Sequence, residues 1–223
     1  MLYNQNMNKK VIVFDLDGVL FDSVAITSSY MRVLYPGMTS EKMNEILSGN
    51  FHEEMKKYEA ANPDQKLVQT KEEKDKRYAE YVSKKSTAPL YPGIKDLLDH
   101  LVNNEFTLTI NTSAFERNCL PLLENTGIKS FFDFVATREI SPSKVEKFKM
   151  IAQKYNILLA DMLFITDTLG DVREAKEAGV PTIAVTYGAH GAEFFSKKDN
   201  ENLLEVVATV PELTVSIKSA LNV

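Results

Sequence analysis

At 223 residues, 44% hydrophobic and 26% charged, the chain has the make-up of an ordinary globular protein, long enough for one full domain and a smaller accessory unit. No stretch approaches the ~20 uninterrupted apolar residues of a membrane span, so a soluble protein with no membrane partner is expected. The net charge of −5 argues against general affinity for nucleic acid, and Cys119, the single cysteine, excludes an intrachain disulfide or thiolate metal cluster. A reducing cytoplasm is the expected location.

In chain order, the first element is "VIVF" at 11–14. Lys9 and Lys10 precede it as they would a leader peptide, but Asp15 and Asp17 interrupt the apolar run and no small-residue cleavage site follows. The segment reads as a first core strand. Further β-rich runs are "FTLTI" at 106–110, "FFDFVA" at 131–136, "DMLFI" at 161–165 and "PTIAVT" at 181–186. Ile94, Leu97, Leu98, Leu101 and Val102 share one helical face, as do Val145, Phe148, Ile151, Ala152 and Tyr155. The helix in "DVREAKEAGV" should stop at Gly179, a residue suited to the left-handed position after a C-terminus. Strand and helix in alternation predict an α/β fold with a doubly wound parallel sheet.

The segment from Val24 to Ala88 breaks the rhythm. It offers no convincing strand, only helical patterns around Met43, Ile46 and Leu47, around Met55 and Tyr58, and around Tyr78, Tyr81 and Val82. The predicted organisation is therefore a core from 1–23 and 89–223 with a helical insertion over 24–88. The charged run "KEEKDKR" at 71–77 is expected to be a solvated helix face.

Asp15 and Asp17 follow the first strand, and the end of a parallel strand is where open α/β sheets bind ligands. One residue apart in extended chain, they should face the same side and repel unless a cation or a shared proton relieves them. A second acidic pair, Asp167 and Asp171, follows the strand "MLFI"; Asp171 could also simply N-cap the next helix. Four converging carboxylates require a cation, and Mg²⁺ takes oxygen ligands.

These residues resemble the haloacid dehalogenase-like hydrolase superfamily, over the whole chain except the insertion. Its first motif, D-x-D-G-[TV]-[LI]-x-D-S, is similar to Asp15, Asp17, Gly18, Val19, Leu20, Asp22 and Ser23. The second, a strand ending in Ser or Thr, matches "LTINTS" with Thr112, where Asn111 replaces the usual apolar residue. The third, a lysine near a helix start, matches Lys144, with Lys147 as alternative; the fourth, G-D-x-x-x-D, is similar to "TDTLGD", with Thr166 in place of glycine.

The resemblance implies an Mg²⁺-dependent phosphatase acting on a small phosphorylated metabolite. Asp15 would be the nucleophile, forming an aspartyl-phosphate, and Asp17 the general acid and base. Thr112, Ser113 and Lys144 would hold the phosphoryl group. The implied metal ligands are the Asp15 side chain, the Asp17 carbonyl, Asp167 and Asp171. The insertion would be a helical cap that closes over the site and selects substrate; Asp22 and Ser23 would be turn and helix-cap residues where it begins. His52 is a candidate substrate contact, His100 a structural residue and His190 a loop residue. Two other readings are a hexose phosphomutase and a non-catalytic binding module of the same fold. The first lacks an Arg- and Ser-bearing cap motif here, Arg32 and Arg77 being the only cap arginines; the second predicts loss of an acid. Oligomeric state is not written in the sequence.

Overall fold

The computed structural model describes residues 11–198 and 200–221. Lys9 and Lys10 lie outside these, as does the rest of the expected core before Val11. Six parallel strands form one sheet: β1 (Val11–Phe14), β2 (Thr107–Asn111), β3 (Phe132–Ala136), β4 (Met162–Thr166), β5 (Thr182–Val185) and β6 (Leu203–Val207). Their order, β3-β2-β1-β4-β5-β6, reverses direction at β1, which pairs with β2 on one side and β4 on the other. The crevice at such a reversal is the ligand site of doubly wound sheets. β1 is buried on both faces, which is why "VIVF" reads as a continuous apolar run.

Side-chain alternation divides the core. Ile12 and Phe14 pack with α5 (Ile94–Asn103), α6 (Glu116–Asn125) and α9 (Val210–Leu221) on one face. Val11 and Val13 pack with α7 (Lys144–Tyr155) and α8 (Leu169–Ala178) on the other. α8 stops at Gly179, which is left-handed at φ 73°, as its sequence requires. β6, α6 and α9 are elements beyond those expected from sequence. Cys119 lies in the core on α6, and burial pushes its thiol up to about 12.

Between β1 and α5 stand α1 (Val24–Leu34), α2 (Ser40–Leu47), α3 (Phe51–Ala61) and α4 (Lys71–Lys85). They form a cap with its own small core of Met31, Tyr35, Met38, Ile46, Met55 and Tyr58. The charged first half of α4 is exposed and begins with a reciprocal capping box between Thr70 and Glu73. The cap meets the core closely: a Cβ placed on Gly170 would lie 2.1 Å from the Gly49 carbonyl oxygen. No helix among the described residues is long and apolar enough to cross a membrane.

Candidate active site

The ends of β1, β2 and β4 open into one cavity of about 260 Å³, roofed by the cap. Asp15, Asp17, Thr112, Ser113, Lys144, Asp167 and Asp171 all line it. The structure thus brings together every site residue expected from sequence.

Lys144 is the first residue of α7 and is 1% exposed. Its Nζ lies 2.5 Å from Asp15 Oδ1 and 2.7 Å from Asp171 Oδ2, and donates to the Asn111 carbonyl at 2.9 Å. An ammonium has three donors, and each has an acceptor here. Burial works to lower the Lys144 pKa, but the Asp15 and Asp171 charges outweigh it and hold it above the usual lysine range. Asn111 explains its own departure from the family pattern: its Nδ2 donates to the Lys144 carbonyl at 3.1 Å while its main chain accepts from Nζ. Lys147 points elsewhere, donating to the Thr112 carbonyl at 2.5 Å. Burial, reinforced by the Lys144 charge, pushes it down to about 7.

Burial raises the Asp15 carboxyl to about 6, with Lys144 opposing and Asp171 and Asp17 adding to the rise. Asp17 faces two partners. Ser23 Oγ donates to its Oδ1 at 2.5 Å, and Lys85, from the C-terminal end of α4, reaches its Oδ2 at 2.6 Å. Ser23 occupies the N-cap position of α1 without capping it, its hydroxyl turned toward the Asp17 carboxylate instead. The expected helix-capping role of Ser23 is corrected accordingly.

Asp167 sits in a glycine cradle. A Cβ on Gly18, which is left-handed at φ +75°, would lie 1.9 Å from Asp167 Oδ2, and one on Gly188 2.4 Å from it. The Ala189 amide donates to that oxygen at 2.7 Å. Oδ1 is buried without a hydrogen-bond partner. Burial, then the neighbouring Asp15 charge, holds the carboxyl well above its ordinary range. Asp171 does not cap α8 either: Thr168 is the N-cap, accepting from the Asp171 amide, and the Asp171 carboxylate instead accepts from Thr166 Oγ1 at 2.6 Å. Thr166, in the place of the family's glycine, therefore holds one of the acids.

Four carboxylates line the cavity against two ammonium groups, those of Lys85 and Lys144. Among the described residues no three His, Cys, Asp or Glu side chains form a ready-made metal cage. Mg²⁺ does not ask for one, since it takes one or two carboxylates with a carbonyl and keeps several waters. The orphaned Asp167 Oδ1, the excess negative charge and the all-oxygen donor set fit that ion.

Of the histidines, His52 lines the cavity, and burial, aided by Arg138, lowers it to about 4, so its ring is neutral near pH 7. His190 ties the loop after β5 to α8: its Nδ1 accepts from the Leu169 amide at 3.0 Å and its ring stacks on Phe194. His100 lies in α5 and outside the cavity.

Sequence reasoning missed Lys85, Glu174 and Asn118. Glu174 accepts from both the Lys144 amide and the cap's Asn50 Nδ2, each at 2.9 Å. Asn118 Oδ1 accepts from Tyr78 at 2.5 Å. Lys85 carries a signal, because Tyr78, Tyr81, Val82 and Lys85 follow i, i+3, i+4, i+7 spacing on α4. A lysine ending an inward stripe has a buried task.

The family model for haloacid dehalogenase-like hydrolases matches residues 12–185. A phosphoglycolate phosphatase of Vibrio parahaemolyticus is 27% identical over 221 residues, covering 89% of this chain and 96% of the relative. The fold is similar to that of a Clostridium acetobutylicum protein titled a predicted phosphatase, with TM-score 0.71 and 23% identity over 96% of this chain and 99% of the other. It is also similar to CbbY from Rhodobacter sphaeroides in complex with phosphate, with TM-score 0.70 and 17% identity over 92% and 96% of the two chains. The chain belongs to the haloacid dehalogenase-like hydrolases, as a phosphatase-type member with a helical cap inserted after the first motif.

Proposed function

We propose that the protein is an Mg²⁺-dependent phosphatase that hydrolyses a small phosphorylated metabolite through an aspartyl-phosphate on Asp15. The core would be 1–23 with 89–223, and the cap 24–88. The observation that carries this reading is the convergence of Asp15, Asp17, Thr112, Lys144, Asp167 and Asp171 on one cavity under the cap at the reversal of strand order.

Asp15 attacks phosphorus through a carboxylate oxygen, and the bond from phosphorus to the alkoxide breaks. Asp17, entering the step as the acid, gives its proton to the leaving alkoxide and becomes the carboxylate that Ser23 and Lys85 hold, then takes a proton from the water that attacks the aspartyl-phosphate, returning free Asp15 and inorganic phosphate. Ser23 and Lys85 hold both Asp17 oxygens, so the carboxyl is oriented while the cap is closed. Lys144, together with the Thr112 hydroxyl and Ser113, stabilises negative charge on the transferring group, and the cap excludes water. Asp15, Asp167 and the Asp17 carbonyl would hold Mg²⁺, with Asp171 direct or through water. The bound ion supplies charge neutralisation between the nucleophile and the phosphate.

Release of phosphate from an aryl phosphate, measured with Mg²⁺ and with a chelator, tests the proposal. Turnover should require the metal and vanish in Asp15→Asn. Metal-independent turnover, or full turnover in that variant, overturns it. Arg32 and Arg77 do not line the cavity, so no cap arginine is available there to hold the second phosphate that a mutase handles.

A further inference from the structure

The cap side of the cavity has a chemistry of its own. Tyr30 and Tyr81, from α1 and α4, stack at 4.2 Å and 18°, and Tyr78 meets Tyr30 edge-on at 6.3 Å. Phe51, from α3, and Phe115, at the entrance to α6, complete the aromatic lining, with Phe115 39% exposed. The cluster adjoins the reaction centre through Lys85, whose Nζ lies 5.9 Å from the Tyr81 ring centre while it contacts Asp17.

The two cations that line the cavity are already engaged. Lys85 is paired with Asp17, and Lys144 with Asp15 and Asp171. The Arg117 guanidinium lies 4.0 Å over the Tyr78 ring, and neither Arg117 nor Arg138 lines the cavity. His52 is neutral near pH 7. A second anionic group on a substrate would give up water here without gaining a cation, which a buried charge requires.

Resting on the phosphatase reading, we infer that the substrate is a phosphate monoester whose leaving alcohol carries a flat, uncharged ring rather than a second anionic group. A cavity of about 260 Å³ has the capacity for it, since a dry apolar cavity of ~150 Å³ is enough to hold benzene. A ring next to the ester oxygen would lie among Tyr30, Tyr81 and Phe51, where aromatic pairs gain beyond simple burial. Specificity would be set by the cap, while Asp15 and Asp17 perform the same chemistry on any ester that reaches them.

The test compares kcat/KM for benzyl phosphate, ethyl phosphate and 2-phosphoglycolate in Mg²⁺ buffer, using the full chain. All three release an alkoxide, so the ring and the second anion are the variables. Benzyl phosphate should exceed ethyl phosphate by about tenfold or more, the scale on which an apolar pocket discriminates, and phosphoglycolate should be no better than ethyl phosphate. Tyr30→Leu and Phe51→Leu should each reduce the benzyl-to-ethyl ratio severalfold. Phosphoglycolate as the best of the three, or equal benzyl and ethyl values, overturns the ring inference and leaves the phosphatase reading intact. A ratio unchanged in both variants overturns the assignment of the ring to this lining. No release from any ester removes the phosphatase reading and the inference with it.

Discussion

Lys85→Met cuts an ion pair that joins the cap to an expected catalytic group. The ammonium is 2% exposed, the Asp17 carboxylate 26%, and they lie 2.6 Å apart. With an effective dielectric constant of about 20, their attraction is roughly 6 kcal/mol. Burial of the ammonium takes back part of this, yet Asp17 still holds the Lys85 pKa above its ordinary value. Truncating one partner of a buried pair costs about 3–5 kcal/mol. Asp17 keeps Ser23 and faces the cavity, so the loss of stability here should be lower, about 1–3 kcal/mol. Because the folded lysine pKa is raised, this stability is fully present below the unfolded value of about 10.5 and is lost only as pH rises through the folded one.

Activity should fall further than stability. A positioned acid-base group contributes about 10²–10⁴-fold, and loss of one of the two contacts that orient Asp17 should remove part of this, about 10–100-fold in kcat. The assay is a double-mutant cycle: steady-state kinetics and urea unfolding for Lys85→Met, Asp17→Asn and the double variant. If Lys85 acts through Asp17, the double variant is no slower than Asp17→Asn alone. Multiplicative losses would refute that, and would assign Lys85 an independent contact with substrate or with the cap seam.

Three further perturbations probe the same frame. Gly18→Ala forces a left-handed alanine at a cost of about 1–2 kcal/mol and drives its Cβ into the Asp167 carboxylate; thermal unfolding should register the first effect, and a raised Mg²⁺ requirement for turnover the second. Gly170→Ala sets a methyl 2.1 Å from the Gly49 carbonyl, so the cap must lift from α8; protease sensitivity of the cap should rise, with kcat/KM reduced about tenfold or more. Lys147, buried and depressed to about 7, binds fewer protons folded than unfolded, so its contribution to stability grows between about pH 7 and 10.5 and is lost as pH falls through 7. Lys147→Met should remove a slope approaching ~1.4 kcal/mol per pH unit across that window, read as the pH dependence of the urea midpoint against the parent protein.

What the sequence makes legible follows from how local each signal is. β1 and β4 are buried on both faces, so their apolar runs stand out, and the acids at their ends are conspicuous for the same reason. β6 is an edge strand with Leu204 and Glu205 exposed, and its pattern is too weak to announce a strand. α6 contains Pro121, which argues against a helix in sequence, but burial of Cys119, Leu122 and Leu123 against the sheet overrides that propensity. Lys144 and Lys147 both lie on the buried stripe of α7 with Phe148 and Ile151, so sequence spacing alone could not choose between them. What separates them is the three acceptors that meet the Lys144 ammonium from the end of β1, the last residue of β2 and the first turn of α8, at Asp15, Asn111 and Asp171, and no local pattern encodes such a meeting.

The cap is coupled to the chemistry along two polar seams rather than by apolar contact alone. At one, Lys85 reaches from the end of α4 to Asp17. At the other, Glu174 accepts from Asn50 at the entrance to α3 and from the amide of Lys144, so a single carboxylate anchors both the cap and the lysine beside the nucleophile. Arg173 adds a bond to the Ser48 carbonyl at 2.6 Å. Lifting the cap would therefore free Asp17 of its cation and Glu174 of one of its two donors, while Lys144 keeps its three core acceptors. On the proposed mechanism the acid-base group has both of its partners only when the roof is down, which would tie proton transfer to the closed cap. An open cap would admit substrate with Asp17 held by Ser23 alone, and closure around a fitting leaving group would restore its contact with Lys85.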